Sequence, residues 1–142
     1  MFDAVDARVH LTNDKVQFIG AVRDNKPITC DYFPPLGDGT GYTGLELLLL
    51  SLSACSATSI VAVLRKMRKT IAAFEVRAHG DRREEHPTCF HTIRLTFALT
   101  SPDTADTELQ KAISVSEASL CPVWAMLKGN VDILTDFTVT TG

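Results

Sequence analysis

The sequence predicts an α+β fold, and three observations carry that reading. Stretches near both ends alternate apolar and polar residues with period two, as half-buried strands do. In the middle, Thr43–Lys69 is apolar on every azimuth and carries helix signals at both ends. Later, Thr104–Leu120 places apolar residues at the helical period of 3.6. The 142 residues allow one domain, which we take to span 1–142.

In order, Ala7–Leu11 and Val16–Val22 flank Thr12-Asn13-Asp14 and read as a hairpin, with Val16, Phe18 and Gly20 on one side. Asp24-Asn25-Lys26-Pro27 is a second turn. Ile28–Phe33 adds a third strand, which makes a small N-terminal antiparallel sheet. Pro34–Gly44 is rich in glycine and proline and reads as a mobile lip above a pocket. Gly39, Gly41 and Gly44 match G-x-G-x-x-G. A dinucleotide site also needs an acidic residue about 20 positions on and a parallel crossover, and the sequence offers neither.

The central helix opens on a capping box, Thr43 with Glu46 three residues later. It closes on Lys66, Arg68 and Lys69, whose charge suits the negative helix end. An all-apolar helix has to be enclosed on all sides. A chain this short rarely manages that alone, so a second subunit is expected. A membrane span is the rival reading. Glu46, Ser51, Ser53, Ser56, Thr58 and Ser59 interrupt its apolar runs and argue against it.

Beyond the helix, Ala73–Arg83 and Phe90–Thr100 alternate and form a hairpin with one wet face. Its charged connection, Asp81–Pro87, reads as a solvated loop. His79, His86, Cys89 and His91 cluster there, but their spacing fits no closed structural zinc pattern. After the amphipathic Thr104–Leu120, Pro122 fits a first helical position and Gly129 a stop, which puts Cys121 at an N-cap. Val131–Thr140 is the last strand. The order after the central helix is therefore hairpin, helix, helix, strand.

The composition is that of a globular domain, 45% hydrophobic with net charge −3. No stripe of Lys and Arg interleaved with aromatics suggests nucleic acid. The segment Met1–Leu11 lacks the layout of a signal peptide, so a cytoplasmic location is expected. Four cysteines in a reducing compartment do not suggest a static framework, and none forms C-x-x-C. Cys30 reads as a small apolar strand residue, and Cys89 carries no clear role.

Cys121, at a helix N-terminus, is expected to have a lowered pKa. Cys55 lies twelve residues into its helix, where no dipole end helps it. To be reactive it needs a cation from another segment.

Two stretches, Gly44–Cys55 (GLELLLLSLSAC) and Ser119–Ile133 (SLCPVWAMLKGNVDI), together resemble the OsmC/Ohr superfamily, in its less characterised OsmC-like branch. The resemblance runs nearly end to end. It implies the OsmC-like fold, with a long buried central helix, and an intertwined homodimer with sites at the subunit interface. It also implies thiol peroxidase chemistry on organic hydroperoxides without metal, haem or other cofactor. In that scheme Cys55 becomes a sulfenic acid and Cys121 condenses with it to a Cys55–Cys121 disulfide. A small dithiol or lipoyl-type group then reduces the disulfide.

The family pattern adds an arginine from the N-terminal sheet and a glutamate near the start of the cysteine helix. Arg8 is the counterpart we assign. Arg23 is the other N-terminal arginine, and the aligned stretch carries Lys15, which lacks the planar fork of a guanidinium. Glu46 is the matching acid. Nine residues of helix, about 13.5 Å, separate it from Cys55, so it can serve only a partner's site or its own cap. An apolar pocket would favour alkyl over hydrogen peroxide. Two other readings remain: a non-catalytic protein of the same fold binding an apolar small molecule at the dimer interface, and a structural pair of buried thiols.

Overall fold

A computed structural model describes residues 4–142; the first three residues of the segment read above for a leader lie outside it. The chain divides into two compact units, with the boundary at Leu47/Leu48 inside the long helix.

The first unit holds β1 (Arg8–Leu11), β2 (Phe18–Ala21) and β3 (Ile28–Cys30) in an antiparallel sheet of that order. Gly20 pairs with both Val9 and Ile28. A Cβ there would meet both side chains at ordinary contact distance, 3.4 Å from Val9 and 3.6 Å from Ile28.

The connector after β3 is not the mobile lip its composition suggests. Asp31 is buried, 5% exposed, and its carboxylate gathers the loop around itself. It accepts hydrogen bonds from the amides of Tyr32 (2.7 Å), Asp38 (3.3 Å) and Thr40 (3.0 Å) and from the Thr40 hydroxyl (2.7 Å). Those donors, the Thr40 hydroxyl foremost, hold its pKa down at about 2. A single anion with several donors replaces the freedom that glycine and proline imply.

The central helix α1 runs Gly44–Lys66, with Thr43 just outside it. Thr43 N–H donates to Glu46 Oε1 at 2.8 Å and Glu46 N–H to Thr43 Oγ1 at 3.2 Å, so the capping box forms as the sequence predicts. The far end stops earlier than Lys69. Arg68 takes the left-handed conformation, φ 62°, with Arg68 N–H bonding Arg65 O and Lys69 N–H bonding Leu64 O. This is a Schellman stop with arginine in the place glycine usually takes. Within one chain α1 buries only Leu52, Ser56, Ser59, Ile60 and Leu64. The other azimuths are half-buried or exposed, Leu50 at 52%, so the enclosure expected from its composition is incomplete in a single subunit. By length and composition alone it would also suffice to cross a membrane.

The second unit is built on a sheet ordered β4 (Ala73–Arg82), β5 (Phe90–Thr100), β6 (Asp132–Thr140). β4 and β5 are antiparallel; β6 returns parallel to β5. A parallel neighbour needs a crossover. It is supplied by α2 (Asp106–Val115), a π-helical turn (Ser116–Leu120) and α3 (Pro122–Leu127). The core lies on the central strand, where Ile93, Leu95, Phe97 and Leu99 are buried, joined by Leu52, Ile60 and Leu64 of α1, Leu109, Ala112 and Ile113 of α2, and Trp124 of α3. Phe74 stacks on Phe97, with centroids 6.2 Å apart. Lys69 ties the end of α1 to α2 through Glu108 at 2.8 Å.

Candidate functional site

The two cysteines singled out in the sequence are neighbours in the second unit. Cys55 is half-buried on α1 and Cys121 is buried, 2% exposed, between the π-turn and α3. Local chemistry puts Cys121 there. Pro122 can open a helix because its missing N–H is not needed at that position, which leaves Cys121 as N-cap, and its sulfur accepts the Trp124 amide at 3.4 Å.

The electrostatic outcome is opposite to the one its cap position suggests. Burial, foremost, pushes the Cys121 thiol up to about 11. The Trp124 and Val123 amides pull it down, but the neighbouring Cys55 thiol adds to the rise by hydrogen bonding and by charge. Desolvation of an anion in an apolar wall outweighs two amide dipoles. Cys121 is therefore held protonated, not activated as its cap position suggests.

Around this pair the backbone departs from an α-helix. Thr104–Leu120 is not one helix: after Val115 it winds as a π-turn, and Cys121 N–H reaches back five residues to Ser116 O at 2.9 Å. Single π-turns recur where a helix has to re-aim a functional side chain. Ser116 is fully buried, and its hydroxyl lies 2.7 Å from that of Ser59, one turn beyond Cys55 on α1. Neither serine stands out in the sequence. The helical spacing of Ser59 from Cys55 was the available signal for one of them.

The remaining candidates belong to the first unit. Arg8 lies on β1 in the lining of a cleft of about 320 Å³, whose walls include Val9, Val22, Ile28, Cys30 and Leu47 and which also holds Lys26. Lys15 is ion-paired with Asp38 at 2.6 Å. Arg23 follows β2 in a left-handed turn, φ 53°. Glu46 is exposed, and its carboxylate is engaged by its own helix cap.

At the β4–β5 connection, His79 Nε2 lies 3.0 Å from Asp81 Oδ1 and His91 Nδ1 lies 2.8 Å from Thr92 Oγ1. Cys89 is exposed. Among the described residues, no three His, Cys, Asp or Glu side chains come together in a way that could hold a metal ion.

An α+β chain of this topology, with one cysteine on its long helix and a second at the cap of a later one, defines a class of dithiol proteins. The chain belongs to the OsmC-like protein family, whose model matches residues 37–136. It is 34% identical over 95 residues to protein YhfA of Escherichia coli K12, covering 67% of this chain and 71% of that protein. Among solved structures, the OsmC-like protein of Mycoplasma pneumoniae matches with TM-score 0.85 and 23% identity over 99% of both chains. The organic hydroperoxide resistance protein OsmC of Legionella pneumophila matches with TM-score 0.73 and 14% identity, over 98% of this chain and 99% of that one. At those identities the two structures speak to the fold.

Proposed function

We propose that the protein is a thiol-dependent peroxidase for organic hydroperoxides, with Cys55 as attacking thiol and Cys121 as resolving thiol. The observation that carries the reading is the asymmetry of the pair. Cys55 is the more accessible of the two; Cys121 is buried and held protonated beside it.

The chemistry follows in two balanced steps. Cys55 takes the terminal oxygen of the hydroperoxide, the O–O bond breaks, an alcohol leaves with the proton, and a sulfenic acid remains. Cys121 sulfur then attacks the sulfenic sulfur, a disulfide forms and water departs. A small dithiol, lipoyl or similar, would reduce the disulfide and restore both thiols. Support also comes from the family membership and from the hydroperoxide-resistance protein that shares the fold.

Arg8 is the cation we assign to the Cys55 thiolate, and a second copy of the chain is the cover we assign to the apolar α1. Alkyl hydroperoxides are the substrates, because an alkyl tail gains from burial where hydrogen peroxide has none to bury. The test is consumption of cumene hydroperoxide and of hydrogen peroxide with dihydrolipoamide as reductant. The reading expects cumene hydroperoxide to be consumed faster and Cys55→Ser to be inactive. Consumption of neither peroxide would turn attention to an apolar-ligand-binding protein of the same fold.

A further inference from the structure

The two cysteine backbones are joined by a chain of hydrogen bonds that the peroxidase reading does not require. Cys121 N–H donates to Ser116 O at 2.9 Å. The Ser116 and Ser59 hydroxyls lie 2.7 Å apart in a buried contact. Ser59 Oγ in turn lies 3.1 Å from Cys55 O and 3.2 Å from Ser56 O. A hydroxyl has one proton to give. With the Ser59 proton directed to its own helix, Ser59 has to accept from Ser116. The chain thus runs from Cys121 through Ser116 and Ser59 to the carbonyl of Cys55.

The π-turn makes this closure possible. In an α-helix Cys121 N–H would bond Glu117 O, four residues back. Here it bonds Ser116, and one extra residue in the turn advances Cys121 by about 100° around the helix axis. The hydroxyl pair fixes the π-turn to α1 beside Cys55. Disulfides demand a narrow range of Cα and Cβ separations, so holding both backbones in register favours the bond.

We infer that Ser59 and Ser116 are positioning residues that set the geometry of the Cys55–Cys121 pair, and with it the equilibrium and speed of disulfide formation. The inference rests on the dithiol reading above. It concerns the step in which Cys121 sulfur displaces water from the Cys55 sulfenic acid, and the exchange with a dithiol in which two thiols become one disulfide as another is reduced.

The test uses Ser59→Thr, Ser59→Val, Ser116→Ala and the double variant Ser59→Val/Ser116→Ala. Thr and Val have nearly the same shape, so they differ at position 59 only in the hydroxyl. Two quantities are read in each protein. One is the equilibrium constant for the intramolecular disulfide in a buffer of reduced and oxidised dithiothreitol. The other is the fraction of Cys55 carried on to sulfinic acid after a pulse of cumene hydroperoxide.

We expect Ser59→Thr to match wild type. Ser59→Val and Ser116→Ala should each lower the constant about tenfold, a change of about 30 mV for this two-electron couple. The double variant should fall no further than either single, since all three remove the same bond. Overoxidation should rise in step. Equal constants and equal sulfinic fractions for Ser59→Thr and Ser59→Val would overturn the inference. The dithiothreitol equilibrium does not depend on peroxide. A wild type that forms the disulfide there but ignores hydroperoxide therefore refutes the peroxidase and leaves the positioning role standing. A wild type that forms no disulfide either there or after the cumene hydroperoxide pulse refutes both.

Discussion

The Trp124 amide donates its hydrogen bond to the sulfur of Cys121 at 3.4 Å, so the proposed resolving thiol is at the same time the N-cap of the helix that follows it. Chemistry and local structure share one atom, and substitutions at this position separate the two. Serine caps a helix well, whereas alanine leaves the orphan amide without a partner. Cys121→Ala should lower stability by about 1 kcal/mol relative to Cys121→Ser, and both should abolish the disulfide. Urea unfolding of the two variants measures the difference.

The raised thiol gives a signed pH effect. An ordinary cysteine in the unfolded chain ionises near 9, and Cys121 in the fold near 11. Between those values the folded state holds a proton that the unfolded state has released. Stability conferred by the neutral thiol is therefore lost as pH rises through that window. Wild type should lose stability there faster than Cys121→Ser. Denaturant midpoints of the two proteins across the window provide the comparison, and parallel curves would contradict the account.

Asp31 organises the loop before α1 through four accepted hydrogen bonds. Removing the carboxylate with Asp31→Ala strands the Thr40 amide and hydroxyl together. The expected result is a lower melting temperature and new proteolytic cleavage between Pro34 and Gly41. For the wild type the sign of the acid effect is opposite to that of Cys121. Stability from this carboxylate is present above its ordinary value of 3.8 and lost as pH falls through about 2.

Gly80 lies on β4 against the ring of Phe90, and a Cβ at position 80 would overlap that ring. Phe90 is buried, so it has little room to yield. Gly80→Ala should cost about 1–3 kcal/mol, the usual range for overpacking. Gly44→Ala, which meets nothing within 4 Å, is the control and should leave the denaturant midpoint nearly unchanged.

Much of this architecture was legible in the sequence because it is decided locally. Period-two alternation located β4 and β5 to within a residue, Thr43 and Glu46 marked the start of α1, and Pro122 marked α3. What was not legible depends on distant partners. The π-turn brings Ser116 to Ser59, 57 residues away, and no helical periodicity reports that. The Asp31 loop has the composition of a flexible segment, and its order comes from one buried anion. At Cys121 a reading of the helix end alone sees two favourable amides; burial and the Cys55 thiol, which reverse the sign, come from the tertiary fold.

The central claim is that Cys55 attacks and Cys121 resolves. It is tested most directly by intact mass under non-reducing conditions after a brief, near-stoichiometric dose of cumene hydroperoxide. The account predicts loss of two hydrogens in wild type, an added oxygen or a sulfenic adduct in Cys121→Ser, and no change in Cys55→Ser. An unchanged mass in wild type, or oxidation of Cys55→Ser at Cys121, would contradict it.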